Sequence, residues 1–351
     1  MSDRILPLIL ILFLLGLSPR GVSQESPGSL DKASLFNAKE PIALKLQYSI
    51  KELKKKTNDS TYMRAILWLD QNGSDSIPIK IRARGKFRRD NCYFIPLKVK
   101  ISKKASRNTL FEGNRKFKLV LPCLMQKNKN DYVVKEYLAY SIFELISPYH
   151  FKTRLAHIAF VEEKGSRTIK HYLKGILIED SDQVEKRYLG REMEKNVHPL
   201  YQDAVNAIRN NLFQYMIGNT DYSTRGGHNE KLFYLDNKYI SLPYDFDMSG
   251  LVNPDYAYAS DFQHASNLIP DLTSRVYMGY RQQRPLMEQV RKEFLLIKEQ
   301  VLEKLLELEP EFQEQQQFKT ALQFLNSFYS VIENDSRFEY RIVNKAKALE
   351  R

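Results

Sequence analysis

The sequence predicts an α+β fold in two lobes: an antiparallel sheet with one helix, then a mostly helical C-terminal lobe. Up to about Asp180 the apolar residues fall in short, partly alternating runs separated by turn residues. Beyond Tyr201 they recur mostly at helical spacing. The length of 351 residues suits one bilobal domain or two small ones with a sizeable core, and the composition is that of an ordinary globular chain.

The elements follow in order. Arg4 precedes an apolar run from Ile5 to Leu17, and the small residues Gly21 and Ser23 lead into polar Gln24-Glu25-Ser26. Residues 1–23 therefore read as a signal peptide, with an uncleaved membrane anchor as the alternative. Either places the folded part outside the cytosol, as a periplasmic, secreted or envelope-anchored protein. Residues 24–39 form a polar, disordered lead-in. Strand-like runs rich in Ile, Leu, Val and Tyr cover 42–50, 62–69, 77–84, 93–101 and 116–121. Asp131 is placed to cap a helix carried by Val133, Val134, Tyr137, Leu138, Ile142 and Leu145, ending before Pro148. Strands at 155–162 and 171–178 complete the first lobe, residues 40–180. The second lobe, 181–351, opens with a helix at 201–217. A loop and a hairpin come next, then helices at 294–308, 318–332 and 338–349.

Charge is concentrated in the first lobe. Residues 51–129 hold 21 Lys and Arg against 6 Asp and Glu, whereas the whole chain carries +12. Such a surface attracts phosphates, acidic proteins or anionic membranes, unless it is simply a solvated face. Export and the lack of any zinc-finger, RRM or helix-turn-helix pattern argue against nucleic acid. Cys92 and Cys123 each border a predicted strand, where an exported chain can hold a disulfide; two free buried thiols are the alternative. Two cysteines make a zinc site improbable, and no HExxH or GxSxG occurs.

Residues 211–253 carry the densest chemistry. Asp221 follows an apolar helix, Asn229 follows Asp221, a hairpin intervenes, and Asp245-Phe246-Asp247 ends the next strand. Phosphoryl transfer needs positioning and charge neutralisation, and Mg²⁺ prefers hard oxygen ligands. Asp221 is the candidate base, Asn229 and Asp245 are the candidate metal ligands, and Asp247 could replace Asp245. Each alone is also an ordinary loop former; the ordered set carries the signal. Lys118 on a strand and Glu136 on the following helix supply a phosphate-binding cation and the carboxylate to hold it, with Lys116, Lys98 and Lys100 as alternatives. Arg84 in the run Arg84-Gly85-Lys86-Phe87-Arg88-Arg89 could face phosphate, and Glu179 ends a strand at the lobe boundary where a nucleotide base would lie. His228 has no clear partner in the sequence, which favours a structural hydrogen bond. The resulting plan is bilobal and protein-kinase-like.

Several blocks resemble the spore-coat-protein-H (CotH) kinase family of atypical secreted kinases. They are RGKFRR with IPLKVKI, KFKLVLP with VVKEYLAYSIFELI, RLAHIAFVE, KGILIEDSDQVEKRYL, GNTDYSTRGGHN and LPYDFDMSG, in that order. The resemblance implies phosphorylation of protein Ser or Thr with ATP and Mg²⁺ (or Mn²⁺). It places the catalytic Asp at Asp221, the metal ligands at Asn229 and Asp245, and the nucleotide-binding lysine at Lys118. The acceptor protein is not specified, and envelope or membrane-surface association is left open. The competing expectation is an inactive pseudokinase, or an adhesin-like surface module that uses the basic lobe.

Overall fold

The computed structural model describes residues 35–69, 75–126, 129–195, 197–257 and 271–348. The expected signal peptide lies outside them. Seven strands make up the first half: β1 (Ile42–Tyr48), β2 (Met63–Trp68), β3 (Ser76–Ala83), β4 (Leu97–Ile101), β5 (Lys116–Val120), β6 (Thr153–Lys164) and β7 (Arg167–Glu179). Strands β1 to β5 run as an antiparallel meander, β7 adds to β5, and β6 pairs with β7. Then β6 meets β1 in parallel, from Ile42 opposite Ala156 to Tyr48 opposite Glu162.

That last pairing corrects the predicted fold. The strands close into a seven-stranded mixed barrel, which is not the antiparallel sheet lobe of a kinase-like bilobal protein. Alternation shows which side of each strand is buried but does not distinguish an open sheet from a closed one. Closure satisfies the backbone groups that β1 and β6 would otherwise leave as two open edges.

Short helices α1 (Ile50–Lys56), α2 (Lys86–Asn91) and α3 (Lys103–Ser106) interrupt the meander, and α4 (Asn130–Ile146) follows β5. The rest of the chain supplies α5 (Ser181–Arg187), β8 (Arg191–Glu192), α6 (Ala204–Ile217), β9 (Glu230–Leu235) and β10 (Lys238–Pro243). Four helices end it: α7 (Arg284–Leu296), α8 (Lys298–Glu307), α9 (Gln315–Ile332) and α10 (Asp335–Arg341). Strands β8, β9 and β10 form a second, three-stranded sheet. The β9–β10 turn places Asp236 and Asn237 at positive φ, as a tight two-residue hairpin turn requires.

Two cores result. One fills the barrel with Leu44, Ile81, Leu97, Leu119, Ile158 and Leu177. The other lies outside it, where Val120, Leu155, Ile176 and Ile178 turn outward against α4, α6 and the C-terminal helices. Helix α4 is buried on nearly every side, so its apolar residues form no single stripe. No residue of β2, β3 or β4 belongs to this second core, and Arg64, Ile66, Pro78, Lys80 and Lys100 on the outer face of those strands stay exposed. Asp131 does not cap its own helix. Its carboxylate accepts the backbone N–H groups of Gln313 and Glu314, 2.8 and 2.9 Å away, and so closes the start of α9.

Candidate active site

Helix α6 ends at Gly218 in the left-handed region, with its N–H returning to the carbonyls of Gln214 and Tyr215. A Cβ there would meet Phe324 at 2.9 Å, so the turn needs glycine for space as well as for φ. Asn219 then bonds back to the Gln214 side chain and accepts the N–H of Asp221 through its own. The loop carrying Asp221 is thus fastened to the buried end of α6.

Eight positions separate Asp221 from Asn229 in the sequence. A small antiparallel bridge absorbs them: Ser223 and His228 exchange backbone hydrogen bonds of 3.0 and 3.1 Å. This returns Asn229 to Asp221, where its amide donates to the backbone oxygen at 2.7 Å and to Oδ2 at 3.0 Å. His228 Nε2 lies 3.0 Å from Oδ1. Both oxygens of Asp221 are therefore held. Burial raises its proton affinity above the usual carboxylate range, against the opposing pull of His228. Asn229 and Asp245 both adopt positive φ, 52° and 65°. Backbone bonds fix them there: Asn229 accepts the N–H of Tyr244, and Asp245 donates its own N–H to the Tyr140 hydroxyl.

The opposite wall comes from the barrel. Arg84 leaves β3, Gly85 turns at φ 76°, and α2 presents Phe87 and Arg88. The disulfide between Cys92 and Cys123 ties the end of α2 to the strand-exit segment after β5. Between the two walls lies a cleft of about 700 Å³, lined by Arg84, Arg88, Asp221, His228, Asn229, Tyr244, Asp245 and Asp247.

The expected Lys118–Glu136 pair does not form. Glu136 instead meets Arg88 at 3.2 Å, and Arg88 also grips Asp247 at 2.6 Å and reaches Asp245 at 3.9 Å. Burial raises the proton affinities of Glu136 and Asp247, Arg88 opposes this in both, and the nearby Asp245 carboxylate adds to the rise in both. Burial disfavours the Arg88 cation, yet Asp247 and Glu136 together keep it charged. Glu136 Oε1 is left without a hydrogen-bond partner. One guanidinium thus faces three carboxylates, and the wall is short of positive charge.

Lys118 is buried, with its amine 5.0 Å from the Phe151 ring centre and 4.6 Å from that of Tyr244. The amine has no hydrogen-bond partner among the described residues. Burial pushes its proton affinity well below the usual lysine range, and Arg84 and Lys231 push the same way. Glu179 is structural in this arrangement: its carboxylate accepts the Lys152 N–H and pairs with Arg187 at 3.0 Å.

The structure therefore gathers Asp221, Asn229, Asp245, Asp247 and Arg84 in one cleft and leaves Lys118 and Glu179 out of its lining. Sequence reasoning missed Arg88 as the partner of Glu136, and Tyr140 as the support of Asp245. The glycine before a run of basic residues was the available signal for Arg88; nothing local marks Tyr140. Among the described residues, no three His, Cys, Asp or Glu side chains are grouped to hold a metal ion by themselves. No helix among them is long and apolar enough to cross a membrane. Compared with known proteins, the chain matches no protein-family model and no curated protein.

Proposed function

We propose that the cleft transfers the γ-phosphoryl group of ATP to a Ser or Thr hydroxyl of a protein. One observation carries this: a carboxylate oriented from two sides, Asp221, shares the cleft with Arg84, a guanidinium with no carboxylate in ion-pair range among the described residues. Phosphoryl transfer asks for these two things, a positioned proton acceptor and fixed positive charge for the phosphates. The order of motifs that resembles CotH kinases supports the same reading.

In this scheme Asp221 accepts the proton of the attacking hydroxyl, at an oxygen kept in place by His228 and Asn229. Its raised proton affinity favours that acceptance. Arg84 neutralises phosphate charge, a role expected of Lys118 from the sequence. A divalent ion, Mg²⁺ or Mn²⁺, would be held by Asp245 and the amide oxygen of Asn229, together with phosphate oxygens and water. The excess of carboxylate on that wall fits such a cation. When bound, the ion supplies neutralisation of the phosphate charge. Asp247 is unavailable while Arg88 holds it.

The test is transfer of labelled phosphate from ATP, with Mg²⁺ or Mn²⁺, to the chain itself or to a generic protein acceptor. Asp221→Asn should abolish transfer while leaving the melting temperature unchanged. No transfer by the wild-type chain with either ion sinks the proposal. A second reading, a binding module without catalysis, is favoured by Arg88 already neutralising Asp247 and Glu136. A melting temperature raised by ATP and metal, with no transfer, selects it; ligand at about 100 times its Kd adds about 2.7 kcal/mol.

A further inference from the structure

The outer face of β2, β3 and β4 carries like charges set opposite one another. Arg64 lies opposite Lys80, Lys80 opposite Lys100, and Lys100 opposite Lys116. Four cations form one row across four adjacent strands, a row about 14 Å long at about 4.8 Å between strands. Like charges directly opposite destabilise a strand pair, so the row costs stability at each step. Among the described residues only its last member, Lys116, has an acidic partner, Asp182. Among the described residues no carboxylate lies within ion-pair range of Arg64, Lys80 or Lys100; the Lys100 amine rests 5.1 Å from the Tyr62 ring centre. A groove of about 370 Å³ follows the row, with Pro78, Ser102 and the further cation Arg115 beside the charges.

One strand of the row also leads to the cleft. Along β3, at right angles to the row, the same alternation carries Lys80, then Arg82, which is 17% exposed and has Asp59 3.7 Å away, and then Arg84 just beyond the strand, at about 6.7 Å per two-residue step. Arg84 is already part of the cleft wall. Lys80, a member of the row, thus stands about 13 Å along the strand from Arg84, within the span of one short peptide.

We infer that this row docks an acidic peptide segment, its Asp and Glu carboxylates facing Arg64, Lys80, Lys100 and Lys116. An adjoining part of the same peptide then enters the cleft. The docking stands by itself; the delivery rests on the phosphotransfer reading. Charge complementarity selects the occupant, and its chemistry favours peptide over nucleic acid. Three of the four cations are lysines, point charges without the planar fork that suits phosphate. Among the described residues, the rings that flank the row already carry cations, Tyr62 with Arg82 and Lys100 and Trp68 with Lys45, which disfavours base stacking on them.

The experiment measures binding of a short fluorescent Asp/Glu-rich peptide to the full chain by anisotropy, without nucleotide. Its Asn/Gln counterpart and a single-stranded oligonucleotide of equal charge serve as comparisons. The expected result is binding of the acidic peptide alone at low salt, weakening as salt screens the row. The double variant Lys80→Gln with Lys100→Gln should bind about tenfold more weakly. It should melt at the same or a higher temperature, because all three like-charge contacts of the row are relieved. Equal binding of the Asn/Gln peptide, tighter binding of the oligonucleotide, or an unchanged affinity of the double variant overturns the docking. Where transfer is observed, the same variant should raise KM for an acidic acceptor and leave kcat unchanged; an unchanged KM overturns the delivery. Because affinity is read without ATP, docking is tested even in a chain that transfers no phosphate.

Discussion

Arg88 shows how much rests on a single side chain. Its guanidinium is the only cation within ion-pair range of Glu136 and Asp247 among the described residues, and its own exposure is 7%. Removing one partner of a buried ion pair leaves the other charge without compensation, which costs about 3–5 kcal/mol. Arg88→Met should therefore lower the free energy of unfolding by that order, read from urea denaturation. Arg88→Lys should recover only part of it, because an ammonium lacks the fork that reaches two carboxylates at once. The sequence made Asp221 and Asp245 legible, since each sits on a loop just beyond a periodic element, and Asn229 only through its place in the ordered set, directly before β9. It paired Glu136 with the wrong cation. Lys118 is nearer in sequence, but it packs against Phe151 and Tyr244, rings from distant segments that no local pattern relates to it.

At the scale of elements, the cleft depends on α2, a helix of six residues with no side-chain cap at its start. So short a helix has little stability of its own. The Cys92–Cys123 bridge anchors its far end, closing a loop of 31 residues. By loop-closure entropy, such a bridge contributes about 3–4 kcal/mol. Cys92→Ser with Cys123→Ser should lose stability of this order and weaken ATP binding more than a distant change of equal cost, measured by calorimetry. The bridge was one of two alternatives the sequence offered, and the strand borders on which both cysteines sit were its basis. Asp131 shows the reverse case. Its position before an apolar run is that of a local N-cap, yet it closes α9, some 180 residues further along. Capping residues are recognisable by type, but the helix they serve is decided by packing.

For the molecule as a whole, several carboxyl groups are buried with raised proton affinity, and they give stability a common dependence on pH. Glu230 is the simplest. Burial raises it from 4.5 to about 7, and hydrogen bonds from Asn210, Thr224 and Ser241 offset only part of this. The folded state then holds a proton that the unfolded state has released. The stabilisation is present below pH 4.5 and lost as pH rises through 7, up to about 3 kcal/mol. Thermal melts should fall from pH 5 to pH 8, and Glu230→Gln should flatten the profile; a flat wild-type profile would refute the assignment. Charge asymmetry and the change from strands to helices were legible at this scale. Barrel closure was not, because the pairing of β1 with β6 depends on where two chain edges meet in space.

That parallel pairing also sets an order of events. The partner of β1 lies more than a hundred residues later in the chain, so the barrel has no closed form until β6 has been made. A strand paired across such a distance must wait, with its edge open, while local hairpins and α4 form around it. Topologies dominated by distant pairing fold on the order of milliseconds to seconds, well behind helical bundles of similar size. The barrel therefore forms late, after most of its residues have left the ribosome, and the cleft that depends on its wall forms later still.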